Sequence, residues 1–375
     1  MKRQYWTNPD VYETEVEVTC VGENRVTTDP VVFHPDEGGQ PADKGTLGKA
    51  SVVGVQVVEG RVVLTVDRPL DDGKHQACVD KAHRLYSARQ HTAQHIISGI
   101  AAEQFGLETV GVHIGLEICT VDFDKKVDWE TLADVERRSM EVVAENIAVE
   151  TVFGDEDVRS RFDLSGVDSD MIRVVKIGEY DASACCGAHV GRTGDIGVIR
   201  ILDLEAKKAG TRVSFVAGAK ALEFSQGETA VLRELRKACK CSTAEISVIL
   251  QKALERAKAL GKEMDRLQAQ MLPGLVESAK IVEVGSSKVG VQVDVVSSKH
   301  AGKLAAMIAS EIDGAGVVIT DGNVAVSSKG PNANDLLQKL REAVGGKGGG
   351  SEASANGRLD STVTAEQVVG ILQGQ

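Results

Sequence analysis

Two short motifs that lie far apart in the chain carry side chains able to bind a metal ion. His91 and His95 stand four positions apart, so on a helix both imidazoles lie on one face, one turn from each other. Cys185 and His189 supply a thiol and a third imidazole with the same spacing. Zn²⁺ prefers nitrogen and sulfur donors of this kind, in tetrahedral sites of four ligands. Together the four residues suggest a zinc site.

Each motif alone is weak evidence, because pairs of metal-binding side chains also arise by chance on helices and in turns. Their occurrence in one predicted domain is stronger evidence. The zinc-protease motif is excluded, since it needs a glutamate directly after the first histidine and Thr92 stands there. Spacing does not decide which cysteine binds: Cys186 either replaces Cys185 or provides a thiol beside the ligands.

The segment that holds both motifs, residues 86–218, alternates between helical and strand patterns. Ser87 and Gln90 fit a capping box, which predicts a helix from Ser87 to about Phe105, before Gly106. A second helix is predicted over 131–145, and strands over 117–123, 170–177, 196–202 and 211–217. These elements indicate a zinc-binding α+β domain.

The first segment, residues 1–85, is rich in valine and glycine. Residues 13–21 alternate polar and apolar side chains, as in a half-buried strand. The β-branched runs 51–58 and 60–67 read as a hairpin around Glu59 and Gly60. A loop rich in proline and glycine covers 33–41. The segment is therefore predicted to form a small β-barrel.

Residues 219–275 are predicted to form a helical arm. A second capping box starts at Ser242, and a heptad seam of apolar residues runs from there to Pro273–Gly274. The seam consists of Ile246, Leu250, Ala253, Ala257, Leu260, Met264, Leu267 and Met271. It packs either on its own domain or against a second chain as a coiled coil.

Residues 276–375 alternate between strands and helices and are predicted to form a compact α/β domain. The strands are expected over 289–296, 316–319 and 323–327, and the helices over 301–312, 333–344 and 364–372. One interpretation of the glycine-rich stretch 345–350 is a flexible surface loop. The whole chain is thus predicted to be α+β, divided at 1–85, 86–218, 219–275 and 276–375.

The composition is that of a folded, acidic protein, with 42% hydrophobic residues, 26% charged residues and a net charge of −12. The sequence has no apolar run long enough for a membrane span and no signal-peptide core, and its seven scattered cysteines predict reduced thiols in the cytoplasm. Acidity argues against nucleic-acid binding in general. However, residues 219–275 carry +3 whereas residues 86–218 carry −9. A nucleic acid would therefore be expected to bind through 219–375, and less tightly as salt rises.

Three parts of the sequence resemble one known family. The two metal-binding motifs resemble the editing domain that alanyl-tRNA synthetases share with the free-standing AlaX proteins, and more distantly that of threonyl-tRNA synthetase. The loop Gly38–Gly39–Gln40 resembles the Gly-Gly-Gln loop of the longer AlaX proteins. Residues 320–323 and 345–350 resemble the C-terminal, DHHA1-type domain of alanyl-tRNA synthetase. The class II core that activates alanine is not found, so the resemblance implies a long-form AlaX protein that edits without aminoacylation.

The resemblance implies that the chain hydrolyses the ester joining a wrong amino acid to the 3′ end of alanine tRNA. That amino acid is chiefly serine, with glycine as a second candidate. A pocket built for alanine cannot strongly reject a similar side chain that adds a hydroxyl, so a second, hydrolytic site is needed. Mischarged alanine tRNA is then the partner and Zn²⁺ the cofactor. The implied ligands are His91, His95, Cys185 and His189.

Two further residues are candidates for the catalytic pocket. Thr109 lies near the position at which the family has a side chain that hydrogen-bonds the serine hydroxyl. Gln40 belongs to the Gly-Gly-Gln loop. Each has an ordinary alternative, Thr109 as a loop residue and Gln40 as a turn residue. The chain departs from the family pattern at Cys186 and Ala188. These two residues stand beside the ligands Cys185 and His189, and the ligands themselves are intact. Zinc either activates water or anchors the ester, and four protein ligands, which leave no open position, favour an anchoring or structural role.

Two other functions fit parts of the sequence. The chain would be a tRNA-binding or dimerisation protein if its hydrolytic site had decayed, although the intact ligand motifs argue against this. It would be a zinc hydrolase of small esters or amides if tRNA were not its partner, which leaves the C-terminal domain unexplained. A homodimer through residues 219–375 is a further expectation from the resemblance.

Overall fold

The computed structural model describes residues 3–154 and 172–374. The chain forms two compact units, Met1–Glu234 and Leu235–Gln375. The described residues contain eight α-helices and nineteen strands, which confirms the α+β class. The division into four segments stays a prediction. Among the helices of these residues, none combines the length and apolarity that crossing a membrane requires.

The chain begins with a short helix and a closed barrel of six strands. Their bounds are Gln4–Thr7 (α1), Glu13–Gly22 (β1), Arg25–Asp29 (β2), Gly45–Leu47 (β3), Ala50–Val58 (β4), Arg61–Val66 (β5) and Gly73–Val79 (β6). The strand order is β1-β2-β5-β4-β3-β6. Strands β4 and β5 pair antiparallel on either side of Glu59 and Gly60, both with positive φ, so the predicted barrel and hairpin are confirmed.

The rest of the first unit places a long helix beside two antiparallel sheets. The elements are Lys81–Phe105 (α2), Thr109–His113 (β7), Cys119–Phe123 (β8), Trp129–Glu145 (α3), Val149–Gly154 (β9), Ile172–Ile177 (β10), Asp181–Ala184 (β11), Ile199–Lys207 (β12) and Gly210–Ala217 (β13). One sheet has the order β12-β13-β8-β7 and the other β11-β10-β9. Helix α2 is buried along much of its length because it packs on the hydrophobic core of this unit.

Helix α2 begins well before the predicted start at Ser87. The carboxylate of Asp80 accepts a hydrogen bond from the backbone N–H of His83 and so caps the true N-terminus. Ser87 is fully buried within the helix. The predicted end is confirmed, since Phe105 is the last helical residue and Gly106 adopts the left-handed conformation (φ 61°) that ends many helices.

The strands of this unit differ from the predicted bounds by a few residues. The strand predicted over 117–123 begins at Cys119, and the strand predicted over 196–202 begins at Ile199, after a 3₁₀ turn over Thr193–Ile196. In the strand predicted over 170–177, residues 170 and 171 lie outside the described residues. The topology that brings β11 beside α2 is nevertheless that of an α+β layer.

The second unit is a six-stranded sheet with helices. A helix that starts in the first unit, Ala219–Cys239 (α4), leads into it. Its elements are Ile246–Glu277 (α5), Lys280–Val284 (β14), Ser287–Val293 (β15), Ser298–Glu311 (α6), Ala315–Thr320 (β16), Asn323–Ser328 (β17), Ala333–Val344 (α7), Gly346–Gly350 (β18), Ser354–Leu359 (β19) and Ala365–Gln373 (α8). The order is β14-β15-β16-β17-β19-β18, with only β15 and β16 parallel among these described pairs.

One expectation for the second unit is wrong, and one interpretation of its glycine-rich stretch is excluded. Pro273 does not end the arm, because α5 continues through it to Glu277. The glycine-rich stretch is a strand rather than a loop, since β18 pairs along β19. A Cβ on Gly348 would lie 2.4 Å from the Cα of Gly357, so only glycine allows this close approach.

The heptad seam of α5 faces outward. Leu250, Leu260 and Met264 are each more than half exposed, so the seam does not pack on its own unit along this stretch. The alternative, a coiled coil with a second chain, stays a prediction.

Candidate metal centre

The two motifs come together between helix α2 and the turn that follows β11. His91 and His95 project from the same face of α2, as their spacing predicts. Cys185 and His189 lie in the turn after Asp181–Ala184. One donor atom from each of the four residues lies within 4.8 Å of every other, so the group could hold a metal ion. Cys186 is exposed and is not part of this group, so the geometry favours Cys185 as the thiol ligand.

The close packing of the turn depends on a glycine. A Cβ on Gly187 would lie 2.1 Å from the His91 ring and 2.9 Å from Gln40 Oε1. Real side chains do not tolerate such distances, so position 187 admits only glycine without rearrangement. Cys185 and His189 thereby come close enough to α2 to complete the group.

Hydrogen bonds fix which nitrogen of two of the imidazoles is protonated. Gln40 Oε1 accepts the backbone N–H of Ala188 (3.1 Å) and therefore also accepts from His91 Nδ1 (2.8 Å). The Thr92 hydroxyl donates to a backbone carbonyl of its own helix, so its oxygen accepts from His189 Nδ1 (3.1 Å). Both rings carry their proton on Nδ1 and leave the Nε2 lone pair for a metal.

The third imidazole has a carboxylate partner. His95 Nδ1 lies 2.7 Å from Asp181 Oδ2, and Asp181 also accepts a hydrogen bond from the Ser183 hydroxyl. A carboxylate that accepts from a ligating histidine orients the ring and raises its basicity as a ligand. All three Nδ1 atoms thus have partners outside the group. In addition, Nε2 of His91 and of His189 lies 3.4 Å and 3.2 Å from Cys185 Sγ.

The protonation equilibria fit a bound cation. Burial raises the pKa of the Cys185 thiol, but the neighbouring His91 and His189 lower it more, so the pKa lies well below its usual value. Burial lowers the pKa of His95, but hydrogen bonds with Asp181 and Cys185 outweigh it and raise the pKa to about 10. The lowered pKa of Cys185 and the raised pKa of His95 both indicate that this group favours a positive charge. A divalent cation bound to the four donors would supply that charge and displace the proton.

A cavity of about 340 Å³ opens beside the ligands. Thr109, the first residue of β7, lies in its wall, as do Gln94 and Ser98 of α2. Gln94 Nε2 and the Thr109 hydroxyl each donate to Ser98 Oγ at 2.8 Å. Sequence reasoning proposed Thr109 for this wall but missed Gln94 and Ser98. The helical spacing of Gln94 and Ser98, next to His91 and His95, was the available signal.

Gln40 has a different position from the one expected of a substrate contact. It is fully buried, and its amide oxygen holds the ring of His91 and the backbone of Ala188. Its loop lies against the end of β7, since the backbone N–H of Ile114, the residue after this strand, donates to the carbonyl of Gly39. These contacts support a positioning role for Gln40, while its role as a catalytic residue stays a prediction. Ala188 is buried and does not line the cavity, so its departure from the family pattern does not alter the cavity wall.

Replacing Gln40 with methionine should weaken metal binding about 10- to 100-fold, the usual cost of losing a partner of a ligating histidine. Methionine keeps the length of the side chain but leaves His91 Nδ1–H and the Ala188 N–H without an acceptor. Competition with a chromogenic zinc chelator measures the effect. Gln56→Met, at an exposed position of β4, is the matched control. Equal affinities of both variants and the native chain would rule out the positioning role.

Comparisons with known proteins find one family match and several similar proteins. Residues 172–212 match the family described as the threonyl and alanyl tRNA synthetase second additional domain. The chain is 31% identical over 95% of its length to an alanine–tRNA ligase of Methanosarcina acetivorans, and 31% identical over 96% to one of Halobacterium salinarum. It spans 42% of the length of each relative. A RecJ structure from Thermus thermophilus, in complex with Mn²⁺, aligns with a TM-score of 0.26 and 18% identity over 36% of this chain and 19% of that one.

Proposed function

We propose that this chain is an aminoacyl-tRNA deacylase, because it is a relative of the alanyl-tRNA synthetase editing region and resembles the AlaX editing proteins. Its substrate would be alanine tRNA carrying serine, with glycine as a second candidate, and its reaction hydrolysis of the aminoacyl ester. The observation that carries the proposal is that His91, His95 and Cys185, three of the four possible metal ligands, lie in the wall of a cavity that also presents side-chain hydroxyls.

The donor set suits zinc, because three neutral imidazoles and one thiolate are ligands that this ion prefers. Bound zinc would supply a positive charge that anchors the ester carbonyl next to the cavity. The protein residues supply the geometry. Gln40, Thr92 and Asp181 orient the three rings, and the buried position of the site limits the access of bulk water.

The hydroxyls in the cavity wall support selection of serine. Ser98 Oγ already accepts two hydrogen bonds, so its own proton remains to be donated, while Thr109 Oγ1 keeps lone pairs as acceptors. A serine hydroxyl can both accept and donate, and it therefore complements this pair. Alanine would bury a methyl group against the same polar atoms and lose those hydrogen bonds.

The decisive experiment measures deacylation of alanine tRNA charged with serine, glycine or alanine, with and without a chelator. We expect rapid loss of serine, slow loss of alanine, and inhibition by the chelator. Equal rates on all three tRNAs, or no activity with zinc bound, would contradict the proposal. Tight tRNA binding without hydrolysis would instead favour the tRNA-binding alternative. Hydrolysis of small esters alone would favour the small-ester hydrolase.

Replacing Thr109 with valine should reduce the rate with serine-charged tRNA about tenfold, the worth of roughly one hydrogen bond of 1.4 kcal/mol, and change the alanine rate little. The substitution removes the hydroxyl and keeps the branched shape. Ratios of kcat/KM for the two charged tRNAs report the loss of discrimination. Thr120→Val, on the neighbouring strand β8 and outside the cavity wall, is the control. An unchanged ratio in Thr109→Val would remove this residue from the recognition of serine.

A further inference from the structure

Three backbone carbonyls of the turn that carries Cys185 accept hydrogen bonds from side chains of other elements. Arg173 Nη1 donates to the carbonyl of Cys185 at 3.1 Å and to that of Gly187 at 2.7 Å. The indole N–H of Trp6 donates to the carbonyl between them, that of Cys186, at 2.8 Å. Three successive carbonyls are thus fixed by two side chains, one from β10 and one from the short helix α1.

Arg173 and Trp6 also contact each other through a cation–π interaction. The guanidinium carbon of Arg173 lies 5.4 Å from the centre of the Trp6 ring, and that of Arg3 lies 4.6 Å from it. The Phe153 ring packs against the same indole with centroids 6.0 Å apart. Arg173 is 6% exposed, and burial of the guanidinium strengthens its hydrogen bonds to the two carbonyls.

The amide groups of the same turn have equally specific partners. The N–H of Cys185 donates to the backbone carbonyl of Arg173, and the N–H of Gly187 donates to Cys185 Sγ at 3.3 Å. A movement of the Gly187 peptide would therefore change a hydrogen bond to the ligand sulfur. A ligand functions only when it is held within about 0.5 Å of its required position, and its support comes from contacts of this type.

We propose that Trp6 and Arg173 are positioning residues that hold Cys185 Sγ in place for the metal ion. This role rests on the metal site of the proposed function. Trp6, which lies before the barrel, would thereby support a metal site whose ligands lie on α2 and in the turn after β11. Neither residue touches the four donor atoms, so both act through the backbone of the turn.

The test uses the full chain loaded with Co²⁺ or Zn²⁺, in the variants Trp6→Phe and Arg173→Lys. Phenylalanine keeps an aromatic ring without the N–H, and lysine keeps the charge without the planar donor group that spans two carbonyls. Trp129→Phe, at a half-exposed position of α3, is the matched control. The readouts are the visible spectrum of bound Co²⁺, which reports the ligand geometry, and the rate of Zn²⁺ release to a chromogenic chelator.

We expect altered cobalt bands in both variants and about 10- to 100-fold faster zinc release in Arg173→Lys, with the control unchanged. Native cobalt spectra and native release rates in the folded variants would overturn the positioning role, even if the melting temperature fell. Trp6→Phe decides the question if Arg173→Lys does not fold. Failure of the native chain to bind cobalt or zinc would overturn the proposed metal site and this role with it.

Discussion

The Cys185→Ala variant should lose the metal ion that we propose for the site, and the His95→Ala variant should lose it as well. Each substitution removes one of the four donors that lie within 4.8 Å of one another. Loss of an outer partner of a ligand already costs about 10- to 100-fold in affinity. Loss of a ligand itself is therefore expected to cost more than about 100-fold, and deacylation should fall with the metal content.

The neighbouring residues offer close controls for these variants. Cys186→Ala removes the exposed thiol next to Cys185, and His113→Ala removes an exposed imidazole at the end of β7. Both controls should keep about one zinc per chain, measured by elemental analysis after dialysis. Near-native zinc in both Cys185→Ala and His95→Ala would show that the ligand set is wrong. Loss of zinc in Cys186→Ala would make that cysteine the ligand.

Local spacing made the ligands accessible to prediction. A separation of four residues on a helix places two side chains on one face whatever the rest of the fold, so His91 and His95 could be paired from the sequence. The meeting of this pair with Cys185 and His189 was inferred from their chemistry. The structure brings the four together, because β11 runs beside α2 and the turn that carries Cys185 and His189 follows it.

The residues that orient the ligands were not predicted, for a physical reason. Asp181 lies 86 positions from His95, and Trp6 lies 180 positions from Cys186, so their contacts depend on tertiary packing. No periodicity in the sequence connects residues at such separations. Gln40 was proposed because its loop resembles that of a known family, yet its burial and contacts place it behind His91.

Local rules failed where tertiary contacts compete with them. Ser87 has the sequence signature of a helix start, but burial of Arg84 one turn earlier requires the helix to extend to Asp80. Pro273 has the signature of a helix end, yet Leu272 beside it is buried in the core formed with α6, which keeps this part of α5 helical. In both cases burial of a neighbouring side chain outweighs a local preference.

Breaking the ion pair between Arg84 and Asp43 should lower the free energy of unfolding of the first unit by about 3–5 kcal/mol. The two side chains are 2% and 1% exposed. Arg84 Nε lies 2.8 Å from Asp43 Oδ1, and Arg84 Nη2 also donates to the carbonyl of Val32 at 2.7 Å. Arg84→Met would leave the carboxylate buried without its partner, which is the main source of the expected cost. Urea unfolding followed by tryptophan fluorescence measures it, since both tryptophans of the chain, Trp6 and Trp129, lie in this unit.

The double variant Arg84→Met with Asp43→Leu distinguishes loss of the charge pair from loss of packing. It removes both charges, so it should recover part of the stability that Arg84→Met loses. Arg137→Ala breaks an exposed ion pair of α3 and should change the unfolding midpoint little. A native midpoint in Arg84→Met would contradict a structural role for the pair.

Because Asp43 follows Gln40 in the same loop and Arg84 precedes His91 on α2, the pair joins the two segments that hold the first ligand. We therefore expect Arg84→Met to release zinc faster than Arg137→Ala even at temperatures where both variants are folded.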